Sequence, residues 1–197
     1  MRSLQTLLLS VFIFNAFTVV AQEENTATVE KSLFNVQVGT FGLFVNHEAG
    51  LTNTIALRTE VGLDAGFYVG QQTGNEVKFM AGPSINIEPR WYYNISKRAG
   101  KGRNTSNNAA NFIGLSIKYI PDWFTLSNDH GGRENNIADQ IVILPKWSIR
   151  RNIGNSKFNY ELGFGLGYQY VFLKQYGYRE NNSQLYADIH ARIGYAF

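Results

Sequence analysis

No cysteine occurs among the 197 residues, which excludes a disulfide framework and thiolate metal sites. Excess charge is also small. The formal charge is +3, and loss of Arg2 with an N-terminal leader lowers it by one, too little to indicate a nucleic-acid partner. The sequence pI near 9.1 overstates that bias. Nowhere does an uninterrupted apolar run approach the ~20 residues that a membrane-spanning helix needs. Gly163-Phe164-Gly165-Leu166-Gly167 has neither the spacing nor the helix start of a dinucleotide fingerprint.

What is present begins with a targeting pattern. Met1 and Arg2 form a short basic start, followed by Leu7 to Leu9, Val11 to Phe14 and Phe17 to Val20, with Ser10 and Asn15 as interruptions. This is the h-region of a signal peptide. Val19-Val20-Ala21 places small or modest side chains at a cleavage site, so residues 1–21 are read as the leader and Gln22 as the first mature residue. The length suits one domain. Hydrophobic residues at 44%, aromatics at 14% and 19 glycines suit a β-rich chain.

The remainder alternates with period two, the mark of strands with one apolar and one polar face. From Ile55 the odd positions run Ile55, Leu57, Thr59, Val61, Leu63, Ala65, Phe67, against Ala56, Arg58, Glu60, Gly62, Asp64, Gly66. The same pattern recurs from Phe158 to Tyr170 and from Leu185 to Phe197, and in weaker form over 34–45, 77–93, 112–121 and 138–151. Seven strands result. Barrels with both termini on one side have even strand numbers, so an eighth is expected within 22–33, where Thr26, Thr28 and Val29 could support it. The barrel would then occupy 34–197.

A soluble, lipocalin-like barrel would alternate in the same way turned inside out. Three details favour the apolar face outward. The polar faces mix long charged residues with glycine, as a narrow eight-stranded lumen requires. Aromatics gather near strand ends at Phe44, Trp91, Tyr93, Trp123, Trp147, Tyr170 and Phe172, as in interfacial girdles. The alternating runs match a tilted bilayer crossing. The predicted fold is therefore all-β, a closed antiparallel up-and-down transmembrane barrel of eight strands.

Ile193, Tyr195 and the terminal Phe197 resemble the closing strand of Gram-negative outer-membrane barrels, and the mature chain is similar in architecture to the small OmpX- and OmpA-like class. That resemblance implies an outer-membrane location, contact with its lipids, and a C-terminal aromatic read by the barrel assembly machinery. Arg192 stands where that pattern has glycine, with Gly194 following instead.

Inward-facing polar positions give a lumen containing Arg58, Lys78, Arg90, Lys118, Lys146, Arg150 and Arg192 against Glu60, Asp64, Glu88, Glu161 and Asp188, with His190 among them. Near-balance favours a paired plug over a charge-selective channel. Glu88 to Tyr93 could hold a sugar or lipid headgroup, but its simpler reading puts Glu88 and Arg90 in that network and Trp91 and Tyr93 at the interface, with Pro89 marking a bulge. Lys97, Arg98, Lys101 and Arg103 form a basic turn with nothing to order their charges and no aromatic interleaved for base stacking. Asn128 to Glu134 offers Asp129, His130 and Glu134 as donors, yet Asn, Asp and Gly are also good turn residues. No serine is assignable beside His190, so no catalytic set is expected, and neither is a cofactor. The expected role is structural or surface interaction through the loops Gly70 to Glu76, Pro121 to Ala138 and Lys174 to Ser183. Passive passage of a small solute or apolar ligand is the alternative, with lipid A modification a third.

Overall fold

The computed structural model describes residues 27–70, 76–127 and 137–197, and of 67–70 and 76–78 the backbone alone. The expected leader and cleavage site lie outside the described residues, as does the donor loop Asn128 to Glu134. The strands are β1 (Ser32–Gly39), β2 (Gly42–Gly50), β3 (Ile55–Gly70), β4 (Glu76–Trp91), β5 (Asn111–Ile120), the two-residue β6 (Leu126–Ser127), β7 (Gln140–Asn152), β8 (Phe158–Val171) and β9 (Asn182–Ala196). Each strand of the wall pairs antiparallel with the next, and β1 pairs with β9, so eight strands close a ring while β6 adds to β4. Among the described residues, helix is limited to α1 (Ile95–Ala99) and two 3-10 turns.

Alternation sorts the side chains as the sequence implies. On β3, Val61 points out while Arg58 and Glu60 are buried; on β9, Ile189 is 80% exposed outside while His190 and Arg192 are buried. The core of the barrel is therefore polar, and its outer wall is apolar.

The eighth strand is not where it was expected. Residues 27–31 form no strand, and the stretch 34–45 is instead a hairpin, with Gly39 opposite Gly42 across the two-residue turn Thr40-Phe41. Such a turn switches which parity faces inward: odd positions Leu33, Asn35 and Gln37 on β1, even positions Phe44, Asn46 and Glu48 on β2. Phe44 is consequently 2% exposed in the lumen, with the Arg192 guanidinium 3.9 Å from its ring centre, and is not an interfacial aromatic. Residues 46–50, which lie between the runs read at 34–45 and from Ile55, continue β2. The chain still enters β1 and leaves β9 at one end of the barrel.

Pro89 makes no bulge. The register of β4 against β5 is the same at Ile87↔Ile117 and Arg90↔Gly114, and the ladder lapses between them where proline lacks an N–H. At the end where the chain enters β1 and leaves β9, 92–110 folds beneath the barrel. Val29, Ala56, Tyr92, Ile95, Ala110 and Phe112 form an apolar cluster there, with Tyr92 and Phe112 ring centres 5.1 Å apart.

The hairpin tolerates little change. Gly42 has φ +142°, and a Cβ there would lie 2.2 Å from the Leu63 carbonyl oxygen. Gly42→Ala should cost about 1–3 kcal/mol, the usual scale for enforced backbone strain, in equilibrium urea unfolding.

Candidate functional site

Among the described residues the polar lumen is where the fold concentrates chemistry, and four strands supply its centre. Glu48 from β2, Arg90 from β4, Arg150 from β7 and Glu161 from β8 are all fully buried. Arg150 Nη2 lies 2.5 Å from Glu48 Oε1 and 2.8 Å from Glu161 Oε2. Arg90 donates through Nη1 and Nη2 to the two Glu161 oxygens at 3.0 Å each, and through Nε to Glu88 Oε1 at 2.9 Å. Paired donation of this kind fixes orientation as well as charge. The second oxygen of Glu48 accepts from Tyr92 Oη at 2.7 Å and from Asn108 Nδ2 at 2.9 Å, so the base segment is stitched to the ion cluster.

Above this centre, Lys146 pairs with Glu88 at 2.7 Å, and Glu60 with both Arg58 and Arg192, the latter at 2.7 Å. Lys118 and Asp64 pair at 2.8 Å near the mouth, where both are partly exposed. Among described side chains the balance is even: Arg58, Arg90, Lys118, Lys146, Arg150 and Arg192 against Glu48, Glu60, Asp64, Glu88, Glu161 and Asp188. Glu48 is the acid that sequence reasoning missed, because it falls between the alternating runs read at 34–45 and from Ile55. The side chain of Lys78 lies outside the described residues. Asn35, Gln37, Asn46, Asn86, Ser116 and Asn159 were also missed and fill the lumen between the charges.

His190 Nδ1 lies 2.7 Å from Asp188 Oδ2, and its Nε2 lies 3.5 Å from Ser148 Oγ. The expectation of no serine beside it is thus corrected. Ser148 on β7 and His190 on β9 both sit opposite Gly163 on β8. A Cβ at Gly163 would come within 2.1 Å of Ser148 Oγ, so its absence is what lets the two meet across a strand. Ser148 is fully buried, and His190 Nε2 also lies 3.7 Å from Glu161 Oε1, so the trio is integrated into the ion cluster.

The remaining predicted sites resolve individually. Trp91, Tyr93 and Trp147 cluster at the terminal end, with the Trp147 indole donating to Tyr93 Oη at 2.9 Å. Tyr170 and Phe172 pack at 5.0 Å at the opposite end, where Trp123 is exposed. Ile193, Tyr195 and Phe197 face outward, Tyr195 between Phe158 and Phe197 at 5.0 and 5.2 Å. Arg98 is not a loose charge: its Nε donates to Ala109 O at 2.8 Å and its Nη2 to Asn104 O at 3.1 Å.

At the far rim two loops are joined through Asp139. Its Oδ1 accepts from Tyr119 Oη and the Asp122 amide, its Oδ2 from Gln175, and Tyr176 Oη donates to Asp122. Burial works to raise the Asp139 pKa, yet the hydrogen bonds from Gln175, Asp122 and Tyr119 outweigh it and hold the carboxyl below its ordinary value. No protein-family model, curated protein or solved structure matches the chain.

Two outcomes follow. Glu161→Leu leaves Arg58, Arg90 and Arg150 with an unbalanced buried charge and should destabilise the barrel by about 3–5 kcal/mol in urea unfolding, whereas Lys118→Met at the wetter mouth should cost roughly 1 kcal/mol. Because the folded Asp139 is the stronger acid, its contribution is present above the unfolded pKa and is lost as pH falls through the folded one. The protection factor of the Asp122 amide, its exchange rate relative to the unstructured amide at the same pH, should hold steady from about pH 5 to about pH 8 and fall only below the ordinary aspartate pKa of about 3.9.

Proposed function

We propose that the chain is an integral barrel of a bacterial outer membrane, closed by its own side chains, with a structural or surface-contact role carried by the loops at the end away from the termini. The carrying observation is the inversion of ordinary burial: Arg58, Arg90 and Arg150 are fully enclosed, while Phe164, Leu166, Leu185 and Ile189 stand exposed on the outer wall. Water gives no reason for that arrangement, whereas a hydrocarbon solvent requires it. The outward positions of β9 from Leu185 to Phe197 cover a height of roughly 30 Å once strand tilt is allowed for, close to a bilayer core. Aromatics at both ends suit its two interfaces.

The leader-like N-terminus and the outward Ile193, Tyr195 and Phe197 support delivery through the barrel assembly machinery. The interior supports a sealed barrel over the channel alternative. Ion pairs block the middle, and the apolar cluster around Tyr92 and Phe112 lies across the base. Buried side chains that satisfy one another have no reason to part for solutes.

The protein reconstituted into planar bilayers should show no steady single-channel conductance, and it should resist alkaline extraction from vesicles. Steady conductance would overturn the sealed reading. A monomer that stays dissolved without detergent would overturn the membrane reading.

A further inference from the structure

The wall is not equally tall all round. β1 and β2 have 8 and 9 residues, against 15 in β9 and 16 in β3. Above Gly39↔Arg192, β9 continues from Ala191 to Asn182 with β8 on one side and, among the described residues, no strand on the other. Above Gly42↔Asp64, β3 likewise continues with β4 alone. The hairpin tip is fastened at its two corners, Thr40 N to Ala191 O at 3.0 Å and Ala65 N to Phe41 O at 3.2 Å. Beyond that tip the barrel formed by the described residues is open sideways. Ile189 and Phe164, paired across β8 and β9 just above this level, are among the most exposed apolar side chains, so the opening lies within the apolar belt.

Two cavities lie on either side of the wall at the lower edge of this opening. An outer groove of about 480 Å³ is lined by Val38, Tyr160, Leu162 and Ile193, and an inner pocket of about 90 Å³ by Asp64, Lys118, Tyr186, Asp188 and His190. Gly39, Thr40, Ala191 and Arg192 belong to both. The groove therefore lies on the apolar outer side of this stretch of wall and the pocket on its polar inner side, and the opening above the tip is where the two sides meet. The groove is of ligand size, and the pocket admits only the tip of a head group. Its charges come in pairs, Lys118 with Asp64 and Arg192 with Glu60, so a bare anion would meet Asp64 and Asp188 as well as the cations.

We propose that this side opening binds a single-chain amphiphile with a zwitterionic head, its tail in the outer groove and the tip of its head in the pocket beside Asp188 and Lys118. The inference rests on the membrane reading above and adds a ligand to it. A partner strand is the poorer fit. It would pair along the free edge of β9 above the tip, whereas the groove lies on the closed seam below, where β1 already occupies that edge.

Native mass spectrometry of the full chain, released from a nonionic detergent, tests this. With lysophosphatidylcholine added, one molecule per barrel should be retained, and lysophosphatidylglycerol should bind at least about tenfold more weakly. Glycerophosphocholine, the head without a tail, should not be retained. Ala191→Trp fills the groove from an outward-facing position and should weaken retention by about tenfold or more. Leu162→Trp, on the facing strand, serves the same purpose if the first variant does not fold. Absence of retained lysolipid, equal retention by a folded Trp variant, or capture of a second copy of the chain in its place would overturn the proposal. None of these results bears on alkaline extraction, so failure of the ligand is distinguishable from failure of the membrane reading.

Discussion

The ion cluster around Glu48 and Glu161 is the constraint on which the rest of the structure depends. An eight-stranded ring leaves room inside for side chains and little else. Charges placed there are cut off from bulk water, and an isolated one would be very costly. Glu161 meets this by accepting from Arg90 and Arg150 and facing Arg58 at 3.5 Å, and Glu48 by accepting from Arg90, Arg150, Tyr92 and Asn108. Pairs of this kind are weak sources of stability compared with apolar packing. What they supply is position: a carboxylate shared by arginines from different strands fixes the stagger of those strands about the axis.

Closure of the terminal end follows from the same cluster. Asn108, at φ 57°, gives its side-chain amide to Glu48 and accepts the Glu30 amide at 2.7 Å through its carbonyl oxygen. The segment beneath the barrel is thereby tied both to the ion cluster and to the chain entering β1. Phe112 continues the connection, with the Arg90 guanidinium 4.2 Å from its ring centre and Tyr92 beside it. Polar centre and apolar base are one packed unit.

Most of this was legible where one strand carried enough residues to show its period. Ile55 to Phe67, Phe158 to Tyr170 and Leu185 to Phe197 declared both faces, and twelve of the thirteen predicted lumen residues have described side chains, all on the inward face. What was not legible came from pairing. Ser148 lies 42 positions from His190 in sequence and meets it only because Gly163 stands between them with no side chain. The hydrogen bond from Arg98 to Ala109 likewise depends on how 92–110 folds back, which no local period reports.

The hairpin at Gly39 to Gly42 shows how one short feature can mislead locally and still govern the whole. Read as a single strand, 34–45 puts Phe44 on the outside and leaves 46–50 between that run and the next. The glycines flanking Thr40-Phe41 were the available signal, since Gly42 adopts a backbone conformation that other residues rarely do. Once the chain reverses there, the missing strand is supplied, the inward parity switches, and Glu48 enters the lumen to balance the sixth base. The same reversal makes β1 and β2 short, because a turn placed so early leaves no residues to reach the height of β9 and β3. The residue that completes the plug and the gap in the wall are therefore two consequences of one turn, and lengthening the hairpin would close the side opening without touching the ion cluster below it.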